Sequence, residues 1–520
     1  MSSTIDRHWA RAQRYIADNQ IAEARSTLES IVEHAPHRSD ARMLLASVML
    51  SEGTVRNASE QAVIASKNLP NHAQPVSTVA HALIRVGETN AARDALLRFN
   101  ASTTRDGPLL MALAHAFQAL GDHAKALSLM DAAKSVGFDT PDVRYFRSLE
   151  LQFNGRLEEA REELSACLRL GPTYGRASLA FVRMRKQTAE SNHLDYVLSH
   201  LESVPNGSED HASFKFAEFK ILEDLGRFDE AFAALQAGNE IMYARMDHDV
   251  DRGQRLIDAL IEKTPADFVN VDGVRRAGAT PIFIIGLPRS GTTLLDRILD
   301  NHSRVMSTGE RTEFPRQVRW SVDVRGSEML DEKLISRIDH IDFAELGRRY
   351  LEQTQWRAKG RPFYIDKLPP NYLFAGLIHR ALPNAPILHM VRDPMDVCYS
   401  NYKAMFGESF AYSYNLEALA AHYREYRQLM RHWHDVMPGR ILDVSYNDLV
   451  TDPESTINTI LDYCGLPHEP GLIDTSRNTT AVDTLSSAQV REPVHARTIG
   501  EWRRYEKQLA PMQAALADFI

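Results

Sequence analysis

Cysteine is nearly absent from this chain. Cys167, Cys398 and Cys464 are the only three in 520 residues, and they are far apart. That excludes a disulfide framework and a cysteine-based zinc site. No apolar run approaches the roughly 18 residues needed to span a bilayer. The opening residues, Met1 to His8, hold no apolar signal-peptide core. A cytoplasmic protein without a membrane span is therefore expected. Positive charge is not in excess either: 60 Lys and Arg stand against 69 Asp and Glu, a net charge of −9. This argues against a general nucleic-acid binder. Metal ligands are not clustered along the chain. Asp247, Asp249 and Asp251 begin like an EF-hand loop, but the sixth position, which must be Gly, is Arg252. No metal is expected. What remains is an ordinary globular composition, 44% hydrophobic and 25% charged, long enough for two or more domains.

The first half repeats itself. A turn residue is followed five positions later by alanine at Asn19/Ala24, Gly53/Ala58, Gly87/Ala92, Gly121/Ala126 and Gly155/Ala160, each step being 34 residues. Pro36, Pro70 and Pro172 fall on the same register. Gly226/Ala231 follows after two periods plus three residues. This is the period of tetratricopeptide helix pairs, in which glycine ends one helix and alanine lets the next pack closely. The Trp and Tyr positions of that consensus are mostly replaced. The helical region is expected over residues 1–263, with a linker over 264–280 and a second domain over 281–520.

The second domain opens with the most informative stretch, Pro281 to Leu295. Ile282 to Ile285 read as a buried strand, Gly286, Pro288 and Gly291 as a turn, and Leu294, Leu295, Ile298 and Leu299 as a helix. A strand, turn and helix in this order aim backbone N–H groups at one anion. The glycine spacing is that of the nucleotide-binding P-loop, yet position 292 is Thr where that loop carries Lys. Here the positive charge is Arg289, and no Walker-B aspartate stands out downstream. An anion other than Mg-ATP is expected.

Other polar residues punctuate the strands that follow. Arg392 ends the apolar run Ile387–Val391, where open α/β sheets place ligands. Asp393 and Pro394 read as an N-cap and first helical residue, with Ser400 about two turns on. Lys367 ends the run Phe363–Asp366, Glu310 follows Gly309 after the first helix, and Tyr446 follows the run ending in Ser445. Strands near 282–286, 362–366, 386–391 and 440–444 alternate with helices. This predicts a parallel sheet covered on both faces.

The string Gly286-Leu-Pro-Arg289-Ser290-Gly291-Thr292-Thr293 resembles the 5′-phosphosulfate loop of PAPS-dependent sulfotransferases. The likeness is to the branch with tyrosylprotein sulfotransferases and bacterial fusions of this domain to tetratricopeptide repeats. It covers about the last 245 residues. The resemblance implies a P-loop-like α/β fold and PAPS as co-substrate, with PAP as product. It implies that Pro288, Arg289, Ser290, Gly291, Thr292 and Thr293 hold the 5′ end of the donor, and that Arg392 and Ser400 hold its 3′-phosphate. Tyr446 is implied near the adenosine or that phosphate. Glu310 matches the general base, and Lys367 the cation on the leaving oxygen. The run Ser486-Ser-Ala-Gln489-Val490-Arg-Glu-Pro493, with Trp502 nine residues beyond Pro493, matches a family motif whose serine, here Ser486, donates to the bridging oxygen. The residue before that Trp is usually basic. Here it is Glu501, which leaves the role to Arg497, to Arg503 or to neither.

Sulfuryl transfer resembles in-line phosphoryl transfer, where positioning and electrostatics do most of the work. The acceptor implied is a hydroxyl on a peptide, a glycan or a small molecule, and the repeats are expected to bind that acceptor or a protein partner. Two other readings compete: a kinase or NTPase with a degenerate P-loop, which the missing Lys opposes, and a non-catalytic repeat scaffold, which the assembled polar set opposes. Residue by residue, the alternatives are plainer. Arg392 could pair with Asp396, and Arg311 and Glu313 could orient the base, with Glu313 the next candidate for it.

Overall fold

A computed structural model describes residues 2–270, 277–475, 478 and 494–520. The repeat register appears in it directly. Helices Ser2–Ala17 and Ile21–His34 form the first antiparallel pair. Ser39–Ser51 and Val55–Lys67, Ala73–Val86 and Thr89–Arg98, Gly107–Ala119 and His123–Ser135, and Pro141–Phe153 and Leu157–Leu170 form the next four. Asn19, Gly53, Gly87, Gly121, Gly155 and Gly226 all have positive φ, from 56° to 89°. The next residue in each case donates its N–H to the carbonyl five positions back, as in Thr54 to Met49 and Asp122 to Phe117. That is the Schellman closure, which needs a left-handed residue and so selects Gly or Asn. The alanine five positions later is fully buried in all six cases.

The three extra residues before Gly226 have a structural counterpart. The sixth pair is irregular, with Gly175–Arg183 and Leu194–Leu201 joined by a ten-residue connection. Helices Glu209–Asp224, Phe228–Ala244 and Val250–Lys263 complete the helical half.

Five parallel strands form one sheet in the order β2-β3-β1-β4-β5: β1 Thr280–Gly286, β2 Val305–Ser307, β3 Phe363–Lys367, β4 Ile387–Val391 and β5 Leu442–Ser445. β2 was not expected from the sequence. β1 is central and covered on both faces. Ile282 and Ile284 pack with Leu295, Ile298, Leu388 and Met390, whereas Phe283 and Ile285 belong to a second cluster on the other face.

That second cluster does not stop at residue 263. It joins Phe214, Phe216, Leu235 and Leu260 to Phe283, Phe314, Tyr350 and Trp433. The start of the expected linker is packed as well, for Ala266–Val269 is helical and Val269 is buried. Residue 263 thus ends the helix Val250–Lys263 but does not mark a gap in the packing.

The turn edge of the repeats docks on the same domain. Glu88 accepts from Arg349 (2.5 Å) and Gln353 (3.1 Å), and Gln317 donates to the Gly87 carbonyl (2.7 Å). The Leu120 carbonyl accepts from Arg357. A Cβ on Gly121 would come within 2.7 Å of the Arg311 guanidinium, so this turn, which its positive φ reserves for glycine, also lies against the second domain. Among the described residues, no helix is long and apolar enough to cross a membrane.

Candidate active site

The loop after β1 is built around two unusual backbone positions. Gly286 has φ 144° and Gly291 φ 109°, and a Cβ on Gly291 would lie 2.5 Å from the Tyr446 ring. Arg289 between them has φ 68°, a left-handed conformation that costs a non-glycine residue free energy. The helix that follows, Thr292–Asp300, has no side-chain cap on its first N–H groups. Thr292 and Thr293 are buried. The Pro288 carbonyl is held by Asn401 Nδ2 at 2.7 Å.

Two guanidiniums meet here. Arg392 donates to the Arg289 carbonyl (3.0 Å) and the Thr498 carbonyl (2.9 Å) and lies over the Tyr446 ring at 4.5 Å. Arg289 Nε donates to Ser400 Oγ at 3.4 Å. Burial first, and then Arg392, push the Arg289 pKa down to about 10. The Tyr446 hydroxyl is 2.9 Å from Thr498 Oγ1. Ser290 Oγ and Arg392 Nε are buried without a hydrogen-bond partner. Unsatisfied buried donors beside an uncapped helix N-terminus fit an anionic ligand such as a nucleotide phosphate. The competing partner for Arg392 is otherwise engaged, since the Asp396 carboxylate accepts the Gly500 N–H with both oxygens at 2.9 Å. Asp393 caps its helix as expected, accepting from Asp396 N at 2.9 Å.

Beside this loop, at the end of β3, buried Lys367 donates to Glu310 Oε1 at 2.6 Å. Glu313 is not a second candidate for the base. It is buried in an ion pair with Arg357 (2.6 Å), which draws its pKa down against the cost of burial. Arg311 is turned away as well, donating to the Thr308 carbonyl beside Gly121. Arg497 is exposed next to Thr498. Glu501 is neutralised by Lys403 (2.5 Å) and Arg504 (3.5 Å). Ser486, with Gln489, Val490 and Pro493, lies outside the described residues.

Two residues near the loop carried no sequence signal. Arg183, ending the helix Gly175–Arg183, is pushed down to about 10 by burial and then by Arg289. Asp296, one turn into the helix after the loop, is pushed up to about 7 by burial, which outweighs the opposing pull of Lys367.

Residues 281–470 match the sulfotransferase family model. An uncharacterized protein of Aquifex aeolicus is 31% identical over 366 residues, 69% of this chain and 48% of that protein. A Drosophila melanogaster protein-tyrosine sulfotransferase is 27% identical over 243 residues, 42% of this chain and 46% of that protein. The chain thus spans about half the length of these relatives. Among solved structures, the sulfotransferase domain of the Synechococcus PCC 7002 olefin synthase covers 47% of this chain and 98% of that domain, with 21% identity and a TM-score of 0.30. The C-terminal part of a TPR repeat-containing protein from Cytophaga hutchinsonii covers 45% of this chain and 94% of that one, with 12% identity and a TM-score of 0.34.

Proposed function

We propose, from the sulfotransferase-family domain that residues 281–470 carry, that this protein is a PAPS-dependent sulfotransferase acting on an acceptor hydroxyl. The observation that carries the reading is a phosphate-type loop without the Walker lysine, ringed by Arg289 and Arg392, with Ser290 Oγ and Arg392 Nε unsatisfied, beside a Glu–Lys pair. PAPS, when bound, supplies the activated sulfuryl group, with PAP as the leaving group.

The chain's own residues then have distinct tasks. The N–H groups of Ser290 to Thr293 and Arg289 hold the 5′ end of the donor. Arg392 and Ser400 hold the 3′-phosphate, with Tyr446 beside them and Arg497 at the rim. Glu310 takes the acceptor proton, because the hydroxyl must lose it as it attacks. Lys367 offsets negative charge on the leaving oxygen. Ser486 is assigned to the bridging oxygen on the resemblance alone. A sulfuryl group carries less charge than a γ-phosphoryl group, so the reaction does not call for a metal.

For the acceptor, the relatives named protein-tyrosine sulfotransferases favour a peptide tyrosine over a glycan or a small phenol. A groove of about 1380 Å³, lined by Trp9, Met43, Leu44, Leu69, Pro70 and Arg85 among others, opens along the first helices of the early repeats. It is a candidate surface for such a protein-linked acceptor or a partner. A thermal-shift comparison of PAP with Mg-ATP, followed by an acceptor screen with labelled PAPS, tests the proposal. Stabilisation by PAP and label transfer are expected. A response to Mg-ATP alone would indicate an NTPase, and a response to neither would indicate a scaffold.

A further inference from the structure

Three side chains outside the active site converge on the β4–β5 flank of the sheet. His389 and Asp443 stand opposite each other in the strand register. His434 comes from the last turn of the helix Leu416–Val436. His389 Nδ1 lies 2.7 Å and His434 Nε2 3.0 Å from the same oxygen, Asp443 Oδ1. The three potential ligand atoms all lie within 4.8 Å of one another. The cluster is closed below and open above: His389 is 2% exposed, His434 35% and Asp443 51%.

We infer that His389 Nδ1, His434 Nε2 and the Asp443 carboxylate form a binding site for a divalent metal ion of the zinc type, with a further position open to water. Two neutral imidazoles and one carboxylate are a donor set suited to such an ion. A tetrahedral centre with arms of about 2.0–2.1 Å sets its donors roughly 3.3 Å apart. Asp443, whose carboxylate is half-exposed, would have to withdraw by about 0.3–0.6 Å from the imidazoles to reach that spacing, and the two imidazole nitrogens, which lie within 4.8 Å of each other, would have to settle at the same separation. The second ring nitrogen of His389 is already bonded to the Tyr426 hydroxyl. A partner there fixes the ring and presents the other nitrogen to a metal. The carboxylate matters for charge as well. Arg427, two turns before His434, acts on both imidazoles, and without Asp443 the pocket would repel a cation. The residues are 45 and nine positions apart in sequence. No linear motif announces them, and the sequence-based expectation of no metal had no access to them. The competing arrangement is metal-free, with Asp443 simply accepting from both imidazoles.

Calorimetric titration of the tag-free, EDTA-treated full chain with ZnCl₂ decides between them, with CoCl₂ as a spectroscopic probe. Expected are one equivalent of saturable uptake, the visible absorption of tetrahedral Co²⁺, and a rise in melting temperature with zinc. His434→Ala removes a half-exposed ligand and should weaken zinc binding at least about tenfold, with little change in the melting temperature of the metal-free protein. Asp443→Asn, which nearly keeps the side-chain volume, should do the same and decides the matter if His434→Ala does not fold. Absence of saturable uptake, or uptake that both variants leave unchanged, overturns the inference.

Discussion

Lys367 Nζ lies 2.6 Å from Glu310 Oε1, and the pair is lopsided: the lysine is 0% exposed and the carboxylate 38%. The carboxylate is the solvent-facing member, while the lysine is held beneath it at the end of β3. Under the proposed function, donor binding would give Lys367 a second anion to attend to and free Glu310 for the acceptor proton.

Glu310→Gln should therefore separate the two tasks. Turnover is expected to fall about 10²–10⁴-fold as the proton acceptor is lost. PAP affinity should stay near that of the unchanged protein or rise, because Lys367 no longer shares its charge. Single-turnover kinetics with labelled PAPS, beside PAP calorimetry, measures both. Near-normal turnover would move the base away from Glu310. Glu313, locked to Arg357, is not available to replace it.

Arg392→Ala should weaken PAP binding by about 1.5–3 kcal/mol, the worth of a charge-assisted contact. Ser400→Ala should cost less, because its hydroxyl is a single long contact to Arg289. Arg392 also ties the loop to Thr498 through backbone carbonyls. Arg392→Lys should consequently lose most of the affinity despite keeping the charge. Unchanged PAP affinity in Arg392→Ala, measured by calorimetry, would remove this residue from the donor site.

The helical half cannot be cut away cleanly. Phe214, Phe216, Leu235 and Leu260 are fully buried in the cluster that holds Phe283 and Phe314. Each large apolar side chain so buried contributes about 1.5–3 kcal/mol, so losing a handful approaches the entire stabilisation of a typical domain, roughly 5–15 kcal/mol. A fragment lacking residues 1–263 is expected to be insoluble, or to lack near-ultraviolet circular dichroism and PAP binding. A soluble, monomeric fragment that binds PAP as the whole chain does would show that the shared cluster is dispensable.

The sequence disclosed what single residues must do locally. A Schellman turn needs a left-handed residue and a close helix crossing needs a small one, so the Gly/Ala register was visible at 34-residue spacing. The loop Gly286–Thr293 was visible for the same reason, since its glycines and its missing lysine each answer to a local demand. What stayed hidden depends on tertiary approach. β2 is only Val305–Ser307, three residues that become a strand by pairing with Phe363–Ile365. Glu88 meets Arg349 across 261 residues. Nothing in the neighbourhood of Arg183 along the chain shows that it comes to lie by the anion loop, and nothing around Asp296 shows that its carboxyl is buried there. The continuity of the core across residue 263 was equally invisible, because apolar periodicity reports that a helix face is buried but not against what.

Asp296 offers a test by pH. Burial raises its pKa from 3.8 to about 7. The folded carboxyl therefore keeps its proton where the unfolded one has released it. Between about pH 4 and 7 the folded state binds more protons than the unfolded state, so this group makes stability fall as pH rises. Every tenfold change in proton affinity between the two states is worth about 1.4 kcal/mol, so the full cost above pH 7 is on the order of a few kcal/mol. Asp296→Asn has nearly the same shape and nothing to ionise, so it should remove the cost. Asp366, raised to about 7 chiefly by burial, is present in both proteins and cancels from the difference. Urea unfolding at pH 5 and pH 8 reads the effect: the variant should gain stability relative to the unchanged protein on going from pH 5 to pH 8. A difference that does not vary with pH would mean that Asp296 ionises normally in the fold. The positive charge of Lys367 would then offset burial at that position.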